Sequence, residues 1–288
     1  MNVKLQSSSL IIQINNIGAE ICSVKNNSGL EFIWQADKDV WARHAPVLFP
    51  IVGKLKEDKY IFENKEYRLP QHGFARDQEF KPIFQSDSEC TFQLNSNSQT
   101  KSVFPFDFIF EINYQLKDAS ITTHYKIINC TDGLMPFSVG AHPGFNCPLL
   151  ATEKFEDYYL SFESNNFSLT ALNNGLRTRQ KQKLVLADNK LTLHAHLFDN
   201  DALVFENSQI NKISLCSSVS NHKITMECKN WPYFGIWGKK ENQKFVCLEP
   251  WHGVADSENT KQMIENKEGI LHLNSNQEFR CSFSMSFL

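Results

Sequence analysis

Long hydrophobic runs are absent from this chain. The apolar stretch near the start, within "MNVKLQSSSLIIQIN", is too short for a signal peptide or a membrane span. A basic block is also missing, and the formal net charge is -3. These absences argue against a membrane protein and against nucleic acid as a partner, and we expect a cytoplasmic protein.

Paired cysteines are missing as well. The 8 cysteines stand singly among apolar residues, and none forms a CxxC pair. This pattern predicts reduced core cysteines of a cytosolic protein rather than disulfides or a cysteine metal site. The motif "HAH" would place His194 and His196 on one face of a strand and mimic a metal pair, but no third ligand is suggested nearby. We therefore expect no metal site.

Sequence motifs for nucleotide binding and for several kinds of hydrolysis do not occur. The chain contains no GxGxxG, GxxxxGK[ST], GxSxG or HExxH. Nucleotide cofactors and a nucleophilic serine are therefore unsupported.

Short apolar and β-branched runs separated by polar turns dominate the chain. "DFIFEINYQL" and "SITTHYKIIN" alternate with a period near two, which is typical of half-buried strands. Helix and strand patterns do not alternate, and no Pro-, Gly- or Ser-rich linker divides the 288 residues. The pattern predicts an all-β fold, a large antiparallel β-sandwich with a few short helices, in a single domain over residues 1–288.

Local signals predict two hairpins and two short helices. "YIFENKEYRL" indicates a hairpin that turns at "ENKE", and "GILHLNSNQEFRCSFSMSFL" indicates another at the end of the chain. "ADKDVWAR" and "DSENTKQMIENK" each favour a short helix. The polar stretch "LNSNSQTKS" is interpreted as a loop.

Polar residues interrupt the strand pattern at four places, where a sandwich would carry its chemistry. In "SVGAHPGFN", His142 lies among Gly140, Pro143 and Gly144, which make a regular strand unlikely to run through. A histidine there is either a core residue whose ring nitrogens are hydrogen-bonded or a proton donor.

The least ordinary residue is Glu249, in "KFVCLEPWHGVAD". It follows a mostly apolar run, and a carboxylate at the end of a buried strand costs several kcal/mol unless it is paired or protonated. A carboxyl with a raised pKa suits a general base that works near neutral pH. Trp251, two residues on, could offer an apolar platform for a sugar ring.

The two other interruptions carry residues that suit ligand binding. In "LPQHGFARD", His72 and Arg76 lie four residues apart around Gly73, which permits a backbone that aims both the same way. A surface turn with two polar residues explains the same pattern. In "HLFDNDALVFEN", Asp199 and Asp201 precede an apolar strand, and a turn or cap accounts for Asp199 best.

Four stretches in this order, "APVLFPIVGKL", "LPQHGFARD", "SVGAHPGFN" and "LEPWHGVADS", resemble the aldose 1-epimerase (galactose mutarotase) family, particularly its bacterial LacX-like subgroup. That subgroup also resembles the hexose-6-phosphate mutarotases. The resemblance covers nearly the whole chain. It implies a single large antiparallel β-sandwich of the galactose mutarotase type, in agreement with the strand pattern.

The resemblance also implies roles for individual residues. His142 would be the general acid and Glu249 the general base of ring opening and closing, with no metal or organic cofactor. Further residues would contact the sugar: His72, Arg76, Asp201 rather than Asp199, Arg43, Gln71 and Trp251. The position of Arg43 is uncertain by one residue, because His44 and Ala45 replace a more glycine-rich spacer.

Two classes of function remain open at this point. The first is an aldose 1-epimerase that acts on an aldose or a hexose 6-phosphate, for which Arg43, His44, Lys54 and Arg76 could supply positive charge. The second is a non-catalytic carbohydrate-binding β-sandwich, which would not need both His142 and Glu249. A glycoside hydrolase is disfavoured because it usually uses two carboxylates. In either open case the partner is a small sugar or sugar phosphate, and the chain is expected to be a monomer or a homodimer.

Overall fold

A computed structural model describes residues 2–288 of the chain, and β-strands are its main elements. In chain order the strands are β1 (Asn2–Gln6), β2 (Leu10–Asn15), β3 (Ile21–Asn26), β4 (Val47–Leu48), β5 (Lys59–Phe62), β6 (Lys65–Arg68), β7 (Lys81–Gln85), β8 (Glu89–Asn95), β9 (Phe108–Lys117), β10 (Ser120–Asn129), β11 (Met135–Phe137), β12 (Val139–Ala141), β13 (Gly144–Asn146), β14 (Tyr158–Phe162), β15 (Asn166–Asn173), β16 (Leu176–Val185), β17 (Lys190–Thr192), β18 (Leu203–Glu206), β19 (Lys212–Ser217), β20 (Lys223–Glu227), β21 (Tyr233–Trp237), β22 (Phe245–His252), β23 (Leu271–Leu273) and β24 (Glu278–Phe287). One α-helix, α1 (Ser98–Val103), and short 3-10 segments at Lys56–Asp58, Ala75–Asp77, Phe155–Asp157 and Ile264–Asn266 complete the elements. Within residues 2–288, no helix is long and apolar enough to span a bilayer.

Two large antiparallel sheets form the sandwich. The first contains nine strands in the order β17-β14-β19-β20-β24-β10-β9-β8-β7. The second follows the order β16-β15-β18-β21-β22-β12-β4, with β13 also paired to β22. Smaller sheets are made by β1-β2-β3, by β5-β6 and by β11-β23. The predicted all-β antiparallel sandwich is confirmed.

Alternation of buried residues explains why the long strands pair as they do. Along β10, every second residue from Ile121 to Asn129 is buried, and the intervening side chains are half-buried. The buried set joins a large apolar core that is rich in phenylalanine, as the composition of 23 Phe indicates. Burying alternate apolar side chains fixes the register, because a slip by one residue would turn the whole set to the other face.

Strand β22 differs from this pattern because both of its faces are covered. Val246 and Leu248 point into the main core, whereas Cys247 and Trp251 belong to two separate apolar clusters on the opposite face. Glu249 lies between Cys247 and Trp251 in the same alternation, so it shares their face. The prediction that Glu249 ends a buried strand is wrong, since β22 continues to His252.

Several local predictions have mixed outcomes. The hairpin at "YIFENKEYRL" is confirmed as β5 and β6. The C-terminal hairpin is wrong: β23 pairs with β11, and β24 lies between β10 and β20. Both strands of this stretch have the expected period, but their partners are distant in sequence, which a local pattern does not reveal.

The three helix and loop predictions are wrong in most of their length. The segment 36–43 forms turns, because Val40 and Trp41 pack beneath the second sheet. The segment 256–267 is helical only at Ile264–Asn266. The predicted loop 94–102 instead contains the start of α1, where Asn97 and Thr100 form a reciprocal capping box.

All eight cysteines are free, as expected from their scattered positions. Six of them are buried, but Cys130 is exposed and Cys281 is half-buried, so the prediction of core positions is wrong for Cys130. Residues 193–198, which include His194 and His196, do not form the predicted strand, and His196 is exposed beside Asp199.

Candidate active site

The residues singled out in the sequence come together at a cavity of about 440 Å³ on the covered outer face of β22. The predicted residues that line it are Gln71, His72, Arg76, His142, Asp201, Glu249 and Trp251. This volume lies within the ordinary range for small-molecule sites. Arg43 is absent from the lining, and so is Asp199, whose carboxylate lies 2.9 Å from His196 Nδ1.

Sheet register explains how His142 reaches Glu249. Strands β12 and β13 both pair with β22: Gly140 stands opposite Trp251, and Gly144 opposite Cys247. Stepping two residues from either pair brings His142 opposite Glu249. The ladder is interrupted there, and the imidazole Nε2 lies 3.1 Å from Glu249 Oε2. The break in the strand pattern at "GAHPG" therefore sets a histidine beside a buried carboxyl.

Aromatic rings hold the His142 side chain in place. The indole of Trp41 packs against the imidazole at a tilt of 30°, with ring centroids 5.0 Å apart. Trp237 meets it edge-on at 5.8 Å, and His72 meets it edge-on at 5.3 Å. The backbone N–H of His142 donates to the carbonyl of Pro46 at 3.1 Å. The imidazole is thus fixed by three rings and one backbone bond.

Burial sets the proton affinities of the pair. It raises the pKa of Glu249 well above its usual range, and the nearby indole N–H of Trp251 opposes that effect only in part. Burial also lowers the pKa of His142 to about 3, and the positive charges of Arg76 and Arg43 contribute to that lowering. Both directions favour a neutral pair whose proton lies on Glu249 near neutral pH.

His72 is held as a neutral hydrogen-bond donor. Its Nδ1 accepts the backbone N–H of Gly53 at 3.1 Å, and its own backbone N–H donates to the Gly53 carbonyl at 2.9 Å. Burial, aided by the nearby His142, Arg76 and Arg43, lowers the pKa of His72 well below its usual value. Because Nδ1 accepts in the neutral ring, Nε2 carries the hydrogen and lies beside the amide of Gln71.

Arg76 reaches the cavity with spare hydrogen-bonding capacity. Its Nη2 donates to the carbonyl of Gln71 at 2.6 Å, while Nε has no hydrogen-bond partner among residues 2–288. Its side chain is only 16 % exposed. Burial and the charge of Arg43 lower the pKa of Arg76 to about 10, so the guanidinium is positive at neutral pH. Arg43 itself pairs with Asp77 at 3.0 Å, outside the lining.

Trp251 fits its place because two glycines flank it. A Cβ at Gly235 would lie 2.4 Å from the indole, and one at Gly140 would lie 2.7 Å from it. The indole packs with Leu48 and Val204 and forms an apolar part of the wall. Positions 235 and 140 therefore need glycine for close packing, rather than for a special backbone angle.

Several lining residues were not identified from the sequence. They are Trp41, Gly53, Leu172, Asn174, Gly175, Ala202, Val204, Trp237, Val254 and Ala255. Lys54 was noted only as a charge, but it lines the cavity and donates to the Asn174 carbonyl at 3.3 Å. Trp41 is a large aromatic residue in the otherwise polar stretch "ADKDVWARH", which is a signal for a site residue, whereas Trp237 ends the apolar strand β21 and gives no such signal.

Solved structures place this architecture in a defined class, the galactose mutarotase-like proteins. One neighbour is described as a galactose mutarotase related enzyme from Lactobacillus acidophilus, with a TM-score of 0.96, 36 % identity and coverage of 100 % of this chain and 97 % of its own. Another is a galactose mutarotase-like protein from Lactobacillus casei, with a TM-score of 0.92, 31 % identity and full coverage of both chains.

The family model described as aldose 1-epimerase matches residues 1–263, and the chain belongs to this family. Among curated relatives, the plasmid-encoded protein LacX of Lactococcus lactis subsp. lactis is 31 % identical over 280 residues, which is 94 % of each chain. The chromosomal LacX of the same organism is equally similar. The resemblance inferred from the four sequence stretches is confirmed.

Proposed function

We propose that this protein is an aldose 1-epimerase, which interconverts the α and β anomers of an aldose by acid–base ring opening and closing. The observation that carries the proposal is the 3.1 Å contact between His142 Nε2 and Glu249 Oε2 at the wall of a sugar-sized cavity. A binding protein needs hydrogen-bonding side chains and a platform, but it does not need a buried acid–base pair. The pair therefore favours an enzyme over a non-catalytic sugar-binding domain.

The pair holds one proton near neutral pH, which is the number the reaction needs. Burial favours that proton on Glu249. A bound sugar offers hydroxyl groups to the carboxylate, which stabilises the charged arrangement. The proton then passes to His142 across the 3.1 Å contact, leaving a carboxylate base and an imidazolium acid.

Ring opening follows with the proton count balanced. Glu249 takes the proton from the anomeric hydroxyl while His142 donates its proton to the ring oxygen. The C1–O5 bond breaks, and its electrons go to O5 as the C1 carbonyl forms. Rotation about C1–C2 presents the other face of the aldehyde, and closure reverses the roles of the two residues. Each positioned proton transfer contributes about 10²–10⁴ in rate.

The remaining polar lining residues are suited to orienting the sugar. His72 offers Nε2–H as a donor, Arg76 offers its positively charged guanidinium, and the carboxylate of Asp201 can accept. The indole of Trp251 supplies an apolar surface against a ring face. These groups make no bond to the reacting atoms, and their contribution is to hold the ring in a reactive position.

Positive charge in the cavity lining supports a phosphorylated hexose as a substrate. Lys54 and Arg76 are in the lining, and Arg43 is close enough to Arg76 to lower its pKa. Arginine suits phosphate because its planar fork presents paired donors. We therefore propose that the site accepts a hexose 6-phosphate as well as a free aldose.

We also propose that residues 1–288 form a single domain, because the lining of the cavity draws on residues from Trp41 to Ala255.

Anomer-exchange NMR tests the proposal directly. Free glucose and galactose and their 6-phosphates are equilibrated with the protein, and magnetisation transfer between the α and β signals is measured. We expect faster exchange than in buffer for at least one sugar. Line broadening without faster exchange would indicate a binding protein. Release of sugar from a nitrophenyl glycoside would indicate a hydrolase.

A further inference from the structure

A buried thiol lies directly beside the proposed acid–base pair. The ligand atoms of His142, Cys247 and Glu249 all lie within 4.8 Å of one another. Cys247 is fully buried behind the cavity and has no role in the proposed reaction. The proposed chemistry therefore leaves one of these three donor groups unexplained.

The second sheet holds all three donors on one face. Cys247 and Glu249 are two residues apart on β22, so their side chains point the same way. His142 stands between β12 and β13, and both of these strands pair with β22. Two donors on one strand, and a third packed among Trp41, His72 and Trp237, are held more rigidly than donors on loops, which favours metal binding because little ordering is needed.

The donor set matches the preferences of zinc. Zinc binds imidazole nitrogen, thiolate sulfur and carboxylate oxygen, and three such ligands leave a fourth position for water or substrate. Here His142 and Glu249 line the cavity, which gives a path of entry and an open fourth position. The charges also suit a buried site, since one thiolate and one carboxylate neutralise a divalent cation.

Distances and unsatisfied atoms support the same site. Glu249 is 1 % exposed, and its Oε2 has no hydrogen bond of good geometry within residues 2–288. A tetrahedral zinc ion separates its ligand atoms by roughly 3.3–3.5 Å, from the usual bond lengths. The His142–Glu249 contact of 3.1 Å is already close to this, and the Cys247 sulfur lies within 4.8 Å of both ligand atoms.

We propose that His142, Cys247 and Glu249 bind a zinc ion that blocks the cavity in competition with sugar. Binding requires the Cys247 thiol and the Glu249 carboxyl each to release a proton to solvent, and it occupies both proposed proton-transfer groups at once. Zinc is therefore an inhibitor here and is not required for anomer exchange. The site itself stands on the three donors, and only its inhibitory effect depends on the proposed function.

Cobalt(II) offers a readout that does not depend on activity. Added to the full-length protein in place of zinc, it should produce a thiolate-to-cobalt charge-transfer band that zinc then abolishes. Cys247→Ala should lose the band, whereas Cys90→Ala, which removes a buried thiol in β8, should keep it. A band of equal strength in Cys247→Ala, or no band in the wild type, would overturn the proposal.

Inhibition is measured on the same proteins by anomer exchange, each variant being normalised to its own metal-free rate. We expect micromolar zinc to inhibit the wild type while millimolar Mg²⁺ does not, and Cys247→Ala to need at least about tenfold more zinc. If Cys247→Ala does not fold, Cys247→Ser serves in its place. His196→Ala tests the exposed His196–Asp199 pair and should leave inhibition unchanged. An inactive wild type that still shows the Cys247-dependent cobalt band would refute the proposed function and leave the metal site standing.

Discussion

His142 stands opposite Glu249 in the register that β12 and β13 share against β22, and their side chains meet at 3.1 Å. Both side chains are buried. Two ionisable groups thus share a buried wall of the cavity, where burial lowers the pKa of His142 and raises the pKa of Glu249.

Loss of either member of this pair should nearly abolish anomer exchange. We expect His142→Asn and Glu249→Gln each to reduce the exchange rate by at least about 10²-fold, the magnitude of one lost proton transfer. Anomer-exchange NMR gives the rate, and the melting temperature shows whether each variant folds. His194→Asn and Glu57→Gln are matched controls at exposed positions and should retain full activity. A folded His142→Asn with near-normal exchange would remove His142 from the mechanism.

Arg76 should matter more for a phosphorylated sugar than for a free one. Arg76 lines the cavity and stays positively charged near neutral pH, so Arg76→Ala should raise the KM for a hexose 6-phosphate far more than the KM for the free hexose. Added salt should weaken binding of the phosphate in the wild type. Arg68→Ala, an exposed arginine on β6, is the control and should leave both KM values unchanged. An equal rise of the KM for both sugars would mean that Arg76 binds ring hydroxyls and not the phosphate.

Removal of divalent metal should leave activity intact. Dialysis against a strong chelator takes away zinc, which in our proposal only inhibits, so the exchange rate should stay constant or rise. The rate is measured before and after dialysis, and metal content is checked by atomic absorption. Activity that disappears on dialysis and returns with zinc would contradict both the acid–base mechanism and the inhibitory role of the metal.

Acid should destabilise the protein partly through His252, which packs between Trp231 and Phe279. Burial lowers its folded-state pKa to about 4, against an ordinary value of 6.5. Between these pH values the unfolded chain binds more protons, so the free energy of unfolding falls as the pH drops from 6.5 to 4. His252→Phe should keep the packing and flatten this pH dependence, measured by urea titration. His194→Gln, at an exposed position, should not change the slope.

Gly235 should be intolerant of a side chain because of Trp251. A Cβ there would lie 2.4 Å from the indole, so Gly235→Ala should lower the free energy of unfolding by about 1–3 kcal/mol through overpacking. The displaced indole should also raise the KM for sugar. In a Trp251→Phe background the smaller ring leaves room for a Cβ, so Gly235→Ala should lower the free energy of unfolding by less. A double-mutant cycle measures both losses. If Gly235→Ala lowers the free energy of unfolding equally in both backgrounds, the indole does not prevent a side chain at position 235.

The sequence alone determined the all-β class and identified most of the proposed site residues. Alternating runs such as "SITTHYKIIN" indicate a strand with one buried and one exposed face. The free-energy cost of burying a carboxylate identifies Glu249 as a candidate functional residue from the sequence alone. His142 was visible because glycine and proline interrupt a strand pattern around it. These are local properties, and the physics that produces them acts over a few residues.

Tertiary structure alone decided how those residues meet. The register of β12 and β13 against β22 sets His142 beside Glu249 and Cys247, although more than a hundred residues of chain separate them. Long-range contacts likewise pair the two C-terminal strands with different partners, β11 and β10. Trp41 packs against His142 and does not lie in the predicted helix. Such contacts depend on which surfaces bury each other best across the whole molecule, and a local sequence pattern does not contain that information.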